Sequence, residues 1–231
     1  LPDDNKSNRP AVLVIHGGGW IGGDKSWGER AAKLLCPLGY AVFSPNYRLS
    51  SSPEGQWPGQ IRDITSALGF VTINAREFGI NPNKIAALGV SAGGHLATML
   101  ALRSDDDRVK VAINLSGEMD MTRPGNQVMA QFDHLVGNIL KTQAPYPKQD
   151  LEDLSPVYFA RDDVSLLTIH GEGDTNVYVN NAYWITNAIR DAGGEARLLI
   201  LKGEEGQCHG RCWKKSKSLA AIKSFLAEKL R

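Results

Sequence analysis

The sequence has little cysteine, almost no net charge and no long apolar run. Three cysteines among 231 residues are too few for a disulfide scaffold. The 26 basic and 25 acidic side chains nearly cancel, which gives no electrostatic case for binding nucleic acid or an anionic membrane. No apolar stretch approaches the roughly 20 residues of a membrane span, so we predict none. No signal peptide is visible and Leu1 is not a methionine, so the sequence leaves the compartment open.

Short apolar runs alternate with longer amphipathic stretches along the chain. Near-continuous apolar runs of this length are typical of parallel strands buried on both faces: Ala11–Ile15, Ala41–Ser44, Lys84–Val90, Val109–Leu115, Ser165–His170 and Ala196–Leu201. Helical patterns lie between and after them: Lys25–Leu38, Gln60–Phe78, Ala92–Leu102, Tyr178–Ala192 and Cys212–Leu230. The alternation predicts one domain over residues 1–231, a doubly wound α/β fold whose mostly parallel sheet has helices on both faces.

One segment interrupts the alternation. Thr122–Pro156 is rich in proline and contains a possible short helix around Val128–Leu140. Because it follows the fourth predicted strand, we expect this insertion to lie over the carboxyl edge of the sheet, where ligands bind in such folds.

A serine stands at a predicted strand-to-helix turn. The segment from Gly89 to Gly93 reads G-x-S-x-G, with Ser91 at its centre. Alone the motif is a modest signal, but the apolar run before it and the helical pattern after it supply the context that a nucleophile on a sharp turn requires. The alternative is a glycine-rich turn in which Ser91 caps a helix.

A second glycine motif, His16-Gly17-Gly18-Gly19-Trp20, ends the first predicted strand. Backbone N–H groups of such a loop can approach a ligand closely, as an oxyanion hole requires. A phosphate-binding loop fits poorly, because neither G-x-G-x-x-G spacing nor a following Lys-Ser/Thr is present.

A serine nucleophile needs a base and an acid that orients the base, in the chain order serine, acid, histidine. Asp174 follows the fifth strand on a loop at the correct sheet edge, whereas Glu172 is too close to the strand, and Asp120 is a second choice.

His209 is the preferred base, because it lies on the loop between the last strand and the last helix. The other histidines after Ser91 fit less well. His95 lies in the helix past the serine, His134 is inside the insertion, and His170 ends a strand.

These motifs resemble the α/β-hydrolase fold, and more narrowly small bacterial carbohydrate esterases of the acetylxylan or feruloyl esterase type, near the hormone-sensitive-lipase group. The similarity runs from Ala11 to Leu230 and includes Pro45-Asn46-Tyr47-Arg48-Leu49, Leu154-Ser155-Pro156 and His170-Gly171-Glu172-Gly173-Asp174. It implies Ser91 as nucleophile, Asp174 as acid and His209 as base. The N–H groups of Gly18, Gly19 and Ala92 would hold the oxyanion.

The sequence departs from that family at three places. Only Leu1–Pro10 precede the first strand, so either the chain is trimmed or the sheet is smaller. No large amino-terminal cap is present, which favours an open pocket. The base lies between Cys208 and Cys212, which either form a disulfide that fixes the base loop or remain free thiols. Cys36 is expected to be a buried thiol.

The sequence thus predicts a serine carboxylesterase without metal or organic cofactor, acting on acetyl or feruloyl esters of plant polysaccharide. Trp20, Trp57 and the Thr122–Pro156 insertion are candidates for the wall of the sugar site. An arylformamidase acting on a small aromatic formamide is the nearest rival, and a prolyl-type peptidase is disfavoured because its propeller domain is absent. A catalytically inactive α/β-hydrolase used as a binding module is the alternative from another class. The oligomeric state is left open.

Overall fold

In the part of the chain that the structure describes, six parallel strands form the central sheet. The computed structural model describes residues 1–2, 7–103, 108–123 and 129–230, with the backbone alone for 129–132. The strands are β1 (Arg9–Ile15), β2 (Ala41–Phe43), β3 (Ile80–Val90), β4 (Val111–Leu115), β5 (Ser165–Gly171) and β6 (Glu195–Leu201). They are ordered β2-β1-β3-β4-β5-β6, and every neighbouring pair is parallel.

Eight α-helices are seen in the described residues: α1 (Gly28–Leu35), α2 (Gly59–Ile73), α3 (Ala92–Arg103), α4 (Met129–Leu140), α5 (Lys148–Asp153), α6 (Asn180–Asp191), α7 (Gly203–Gly206) and α8 (Ser216–Leu230). Short 3₁₀ turns flank α1 at both ends and precede α8. The predicted six strands and the doubly wound fold are confirmed, with strand ends shifted by a few residues. The predicted helix Gln60–Phe78 is shorter than expected, because the chain turns at Asn74, whose N–H caps the helix.

Successive side chains of a strand point to opposite faces of the sheet, so the strands contribute to two cores. Leu13 of β1 packs in the core that contains Leu68 of α2 and Leu96 of α3. Val14, one residue further, packs in the other core with Leu35 of α1. Helices α2, α3 and α6 therefore cover one face, and α1 and α8 cover the other.

The predicted insertion is built from α4, α5 and a 3₁₀ turn at Pro156–Phe159. Its residues 124–128 lie outside the described residues. The backbone N–H of Trp57 donates to the carbonyl of Ile139 at 2.8 Å. The side-chain amide of Gln56 donates to the carbonyl of Leu140 at 3.1 Å. The segment is thus hydrogen-bonded to the loop before α2.

Candidate active site

Ser91 occupies a sharp turn between β3 and α3. Its φ of 55° is in the left-handed region, which a side chain of this kind rarely adopts. A Cβ on Gly89 would come within 1.9 Å of the Gly93 carbonyl oxygen, and one on Gly93 within 2.2 Å of the Ile15 carbonyl oxygen. Only glycine fits at both positions, and the close packing holds the serine at the carboxyl edge of the sheet.

The structure brings Ser91, His209 and Asp174 into one hydrogen-bonded chain. The distance from Ser91 Oγ to His209 Nε2 is 3.0 Å, and from His209 Nδ1 to Asp174 Oδ2 it is 2.8 Å. Because a carboxylate can only accept, Nδ1 carries the proton and donates to Asp174. The lone pair of Nε2 is then free to accept the proton of the Ser91 hydroxyl, which is the geometry of a serine nucleophile and its base.

Asp174 is buried and accepts several hydrogen bonds. Its Oδ1 accepts from the N–H groups of Asn176, at 2.9 Å, and Val177, at 3.1 Å. His170 Nε2 lies 3.4 Å from Oδ2. Burial raises the pKa of the Asp174 carboxyl, but the contacts with His170, His209 and Val177 outweigh it and lower that pKa overall. Asp174 therefore stays ionised at neutral pH.

The pKa of His209 moves in the opposite direction. Burial favours the neutral imidazole and lowers the pKa, but the hydrogen bond to Asp174 and the charges of Asp174 and Glu118 raise it above the ordinary value. The ring therefore accepts a proton more readily than a free imidazole. Glu118, buried after β4, was not singled out from the sequence. Its position at the carboxyl end of a strand beside the Ser91 strand is the signal that could have indicated it.

The glycine loop after β1 faces the same turn. The N–H groups of Ile21 and Gly22 both donate to the Gly18 carbonyl at 3.0 Å, which closes the loop. Within the described part of the chain, the N–H groups of Gly18, Gly19 and Ala92 have no acceptor. Such free donors near a nucleophile can stabilise an oxyanion. Leu135 of the insertion packs over Gly19: a Cβ added at Gly19 would lie 2.7 Å from Cδ2 of Leu135.

The tryptophans proposed for the sugar site, Trp20 and Trp57, are in the core, which corrects that prediction. Trp20 is fully buried, and its ring meets His95 edge-on at 5.2 Å. Trp57 is also buried, and its indole N–H donates to Asp153 at 3.0 Å. The left-handed φ of 60° at Trp20 follows the tight glycine loop, and the side chain packs beneath it rather than lining the cleft.

None of the other histidines and acids considered from the sequence forms a hydrogen bond with the Ser91 side chain in the described residues. His95 is fully buried, and its Nε2 is 2.8 Å from the carbonyl of Leu154. Burial lowers its pKa to about 4, so the ring is neutral. His134 is exposed on α4, and Glu172 is exposed beside the acid loop. Asp120 accepts hydrogen bonds from Thr122 and Arg123 instead of from the base.

The loop that contains His209 carries a disulfide between Cys208 and Cys212, with Cα atoms 5.5 Å apart. The structure thus favours the bonded form over two free thiols. Both cysteines are buried, and His209 lies within the closed loop. Cys36 is a free cysteine, as expected, but it is half-buried rather than buried.

An open cleft of about 690 Å³ begins at Ser91 and His209. Its wall includes the glycine loop after β1. The rest of the wall comes from the segment before and within α1, which we call the far end of the cleft: Asp24, Ser26, Trp27, Glu29, Arg30 and Lys33. Sequence reasoning missed Trp27, because an amphipathic pattern does not show which partly buried aromatic faces a cavity.

The described residues contain no cluster of three or more potential metal ligands. Among the same residues, no helix combines the length and the apolar character needed to cross a bilayer.

A parallel doubly wound sheet, a serine at its sharp turn and a histidine and aspartate on the following loops define an α/β-hydrolase. Residues 1–189 match the model of the family described as BD-FAE, and the chain belongs to that family.

Two curated relatives are ester hydrolases by name. The chain is 30% identical over 204 residues to a probable carboxylic ester hydrolase, LipM, of Mycobacterium tuberculosis, which covers 82% of this chain and 47% of the relative. It is 25% identical over 229 residues to an isoprenylcysteine α-carbonyl methylesterase of Arabidopsis thaliana, covering 88% of this chain and 52% of the relative. The chain therefore spans about half the length of these relatives.

Solved structures resemble the whole chain. A truncated carbohydrate esterase from gut microbiota superposes with a TM-score of 0.85 at 25% identity, covering 99% of this chain and 88% of that one. Esterase 2 of Thermogutta terrifontis, phosphonylated by sarin, gives a TM-score of 0.83 at 23% identity, with coverages of 98% and 87%. The second likeness is one of fold alone.

Proposed function

We propose that this protein is a serine carboxylesterase that uses Ser91 as nucleophile, His209 as general base and Asp174 as the acid that orients the base. The observation that carries the proposal is the continuous hydrogen-bonded chain from Ser91 Oγ through the His209 ring to Asp174, at the mouth of an open cleft. Curated relatives named as ester hydrolases support the same reaction class.

In the acylation step, His209 Nε2 takes the hydroxyl proton as Ser91 Oγ forms a bond to the ester carbonyl carbon. The carbonyl π electrons move to its oxygen, which becomes an oxyanion. When the carbonyl reforms, the bond to the alcohol breaks, and the imidazolium gives its proton to the departing oxygen. The lowered pKa of Asp174 keeps the carboxylate charged opposite the imidazolium throughout.

The N–H groups of Gly18, Gly19 and Ala92 would stabilise the oxyanion, since they have no acceptor in the described structure. Each donor of this type contributes about 3–4 kcal/mol to transition-state stabilisation in enzymes where one has been removed. Water then attacks the acyl-enzyme with His209 again as base, and the acid product leaves.

For the substrate we propose acetyl or feruloyl esters of plant polysaccharide. The solved relative that is 25% identical over nearly the whole chain is described as a carbohydrate esterase, which supports a sugar ester. The cleft is open, and charged side chains line its far end. A buried acyl chain would strip water from those charges, whereas a hydroxylated sugar would hydrogen-bond to them.

The test is release of acid from acetylated, feruloylated xylan by the wild-type protein and by Ser91→Ala, with acetate and ferulate both quantified. Release by the wild type and none by Ser91→Ala is the expected result. Equal release by the two proteins would overturn the role of Ser91.

Two further reagents separate the rival functions. Rapid turnover of N-formylkynurenine without release from xylan would favour an arylformamidase. If a fluorophosphonate probe failed to label Ser91, the site would lack a reactive nucleophile, and the binding-module hypothesis would replace an enzyme.

A further inference from the structure

The far end of the cleft is lined mostly by charged and polar side chains. It carries the carboxylates of Asp24 and Glu29, the hydroxyl of Ser26 and the cations of Arg30 and Lys33. All five of these residues are exposed. Polar groups of both signs, facing one open cavity, favour a neutral ligand rich in hydroxyl groups over an apolar or a singly charged one.

Trp27 adds an aromatic surface to this end of the cleft. Among the described residues that line the cavity, it is the only Phe, Tyr or Trp. It is partly buried, and its ring packs edge-to-face on Trp213, with the ring centres 6.0 Å apart and an interplanar angle of 68°. The ring also packs against the apolar core beneath α1, so its position is supported while part of it lines the cavity, and an aromatic side chain placed in this way can serve as a surface for stacking.

The support for Trp27 comes from the segment that carries the base. Trp213 directly follows Cys212, whose disulfide to Cys208 closes the loop around His209. On the other side, the Asp24 carboxylate accepts from the Ser26 N–H at 2.7 Å and caps the turn that leads into Trp27. The aromatic surface is therefore held at a fixed place relative to His209 and Ser91.

We propose that Trp27 is a stacking platform for a pyranose ring, and that Glu29 and Arg30 bind the hydroxyl groups of that sugar. A pyranose presents axial C–H groups on its face and hydroxyl groups around its edge. The indole face, which carries the negative end of the ring quadrupole, attracts the C–H groups. Charged side chains at the edge make the stronger class of hydrogen bond to hydroxyls. This inference rests on the proposed esterase function and assigns the far end of its cleft to the alcohol part of the ester.

A feruloyl ring is the competing occupant. It too could stack on Trp27, but with one phenol and one methoxy group it forms fewer hydrogen bonds to the polar side chains around the platform than a sugar with several hydroxyl groups. The polar groups at the cleft end therefore favour the sugar.

The experiment measures binding without turnover. Ser91→Ala is titrated calorimetrically with xylotetraose, with mannotetraose and, separately, with methyl ferulate. The same titrations are made with Trp27→Ala, Trp27→Phe and Trp184→Ala, each in the Ser91→Ala background. Trp184 is a matched control, since it is a partly buried tryptophan that contacts Arg123 and does not line the cleft.

We expect Trp27→Ala to raise the Kd for at least one tetrasaccharide about tenfold, which corresponds to about 1.4 kcal/mol, and Trp27→Phe to restore most of the affinity. Trp184→Ala should leave that Kd within about twofold. Glu29→Ala and Arg30→Ala, at exposed positions where folding is not at risk, should each weaken binding a few-fold.

Absence of tetrasaccharide binding, or binding that is the same in Trp27→Ala, would overturn the platform. Binding of methyl ferulate alone, with the same dependence on Trp27, would also overturn it and assign the ring to the acyl group. The titrations in Ser91→Ala do not depend on turnover. If the wild type showed no esterase activity but sugar binding still depended on Trp27, the sugar subsite would stand and only the proposed esterase function would be rejected.

Discussion

Asp174 Oδ2 lies 2.8 Å from His209 Nδ1, although 35 residues of chain separate the two side chains. Asp174 lies on the loop after β5, and His209 lies on the loop after β6. Since parallel strands all end at one edge, neighbouring strands bring the two loops together. The pairing fixes the proton on Nδ1 and leaves Nε2 facing Ser91.

Replacing the acid should therefore damage catalysis more than folding. We expect Asp174→Asn to lower kcat by about 10³–10⁴-fold, because an amide that donates toward His209 favours the wrong imidazole tautomer. Asp120→Asn is the matched control, since Asp120 is also a buried aspartate at the carboxyl edge but does not contact the base. Thermal unfolding of both variants shows whether either effect is one of stability. A larger loss of kcat in Asp120→Asn would mean that the acid has been assigned to the wrong residue.

The activity should rise with pH as the base loses its proton. Because the pKa of His209 is raised, the limb of kcat/KM assigned to this group should have its midpoint above 6.5. Below that pKa the imidazole is protonated and cannot accept the proton of Ser91.

Asp174→Asn also tests what sets the midpoint of the pH profile. In Asp174→Asn the charge that raises the pKa is gone, so the midpoint of the residual activity should move to lower pH. If the midpoint stays the same after this substitution, the pH dependence does not come from the His209–Asp174 pair.

The disulfide should stabilise the position of the base. In Cys208→Ser/Cys212→Ser the covalent link across His209 is lost, and we expect kcat/KM to fall by about 10–100-fold, the cost of a small misplacement of a catalytic group. A reducing agent should inhibit the wild type and leave this double variant unaffected.

Cys36→Ser supplies the control, because Cys36 is not bonded to another cysteine. It should keep wild-type activity and the same response to reductant. Full activity of the double variant would show that the packing of Cys208 and Cys212, both buried, is sufficient to position the loop.

A side chain at Gly19 should disturb the glycine loop. Its φ is 58°, and an added Cβ would approach Leu135 Cδ2 to 2.7 Å. We expect Gly19→Ala to lower kcat by about 10²–10³-fold, the size of effect seen when an oxyanion donor is lost.

Gly203→Ala is matched to this change, since Gly203 has a φ of 59° and open space around it. It should cost about 1–2 kcal/mol of stability through backbone strain alone, with kcat unchanged. Adding Leu135→Ala to Gly19→Ala should recover part of the activity if the clash, rather than the backbone strain, displaces the loop. Normal kcat in Gly19→Ala would exclude this loop from the oxyanion site.

Much of the fold could be predicted because each feature has a local cause. Near-continuous apolar runs indicated all six strands, since a parallel strand buried on both faces needs no polar alternation. Gly89 and Gly93 marked the turn at Ser91, because close backbone contacts exclude a Cβ at both positions. The chain order of serine, acid and base then limited the candidates to residues on loops at one sheet edge.

The lining of the cleft could not be predicted in the same way. Trp20 was expected at the sugar site and is fully buried, whereas Trp27, seven residues later, lines the cleft. Both are tryptophans near the glycine loop, and no local property distinguishes them. Their exposure depends on which helices pack on each face of the sheet.

The sequence by itself determined the strands and the doubly wound arrangement, and it predicted Ser91, Asp174 and His209 as the triad, because these inferences depend on periodicity, backbone sterics and chain order. Only the tertiary structure decided that Cys208 bonds to Cys212, that Leu135 covers Gly19 and that Trp27 faces the cleft. Each of these features depends on how distant segments pack against one another. Packing is a property of the whole chain rather than of any one segment.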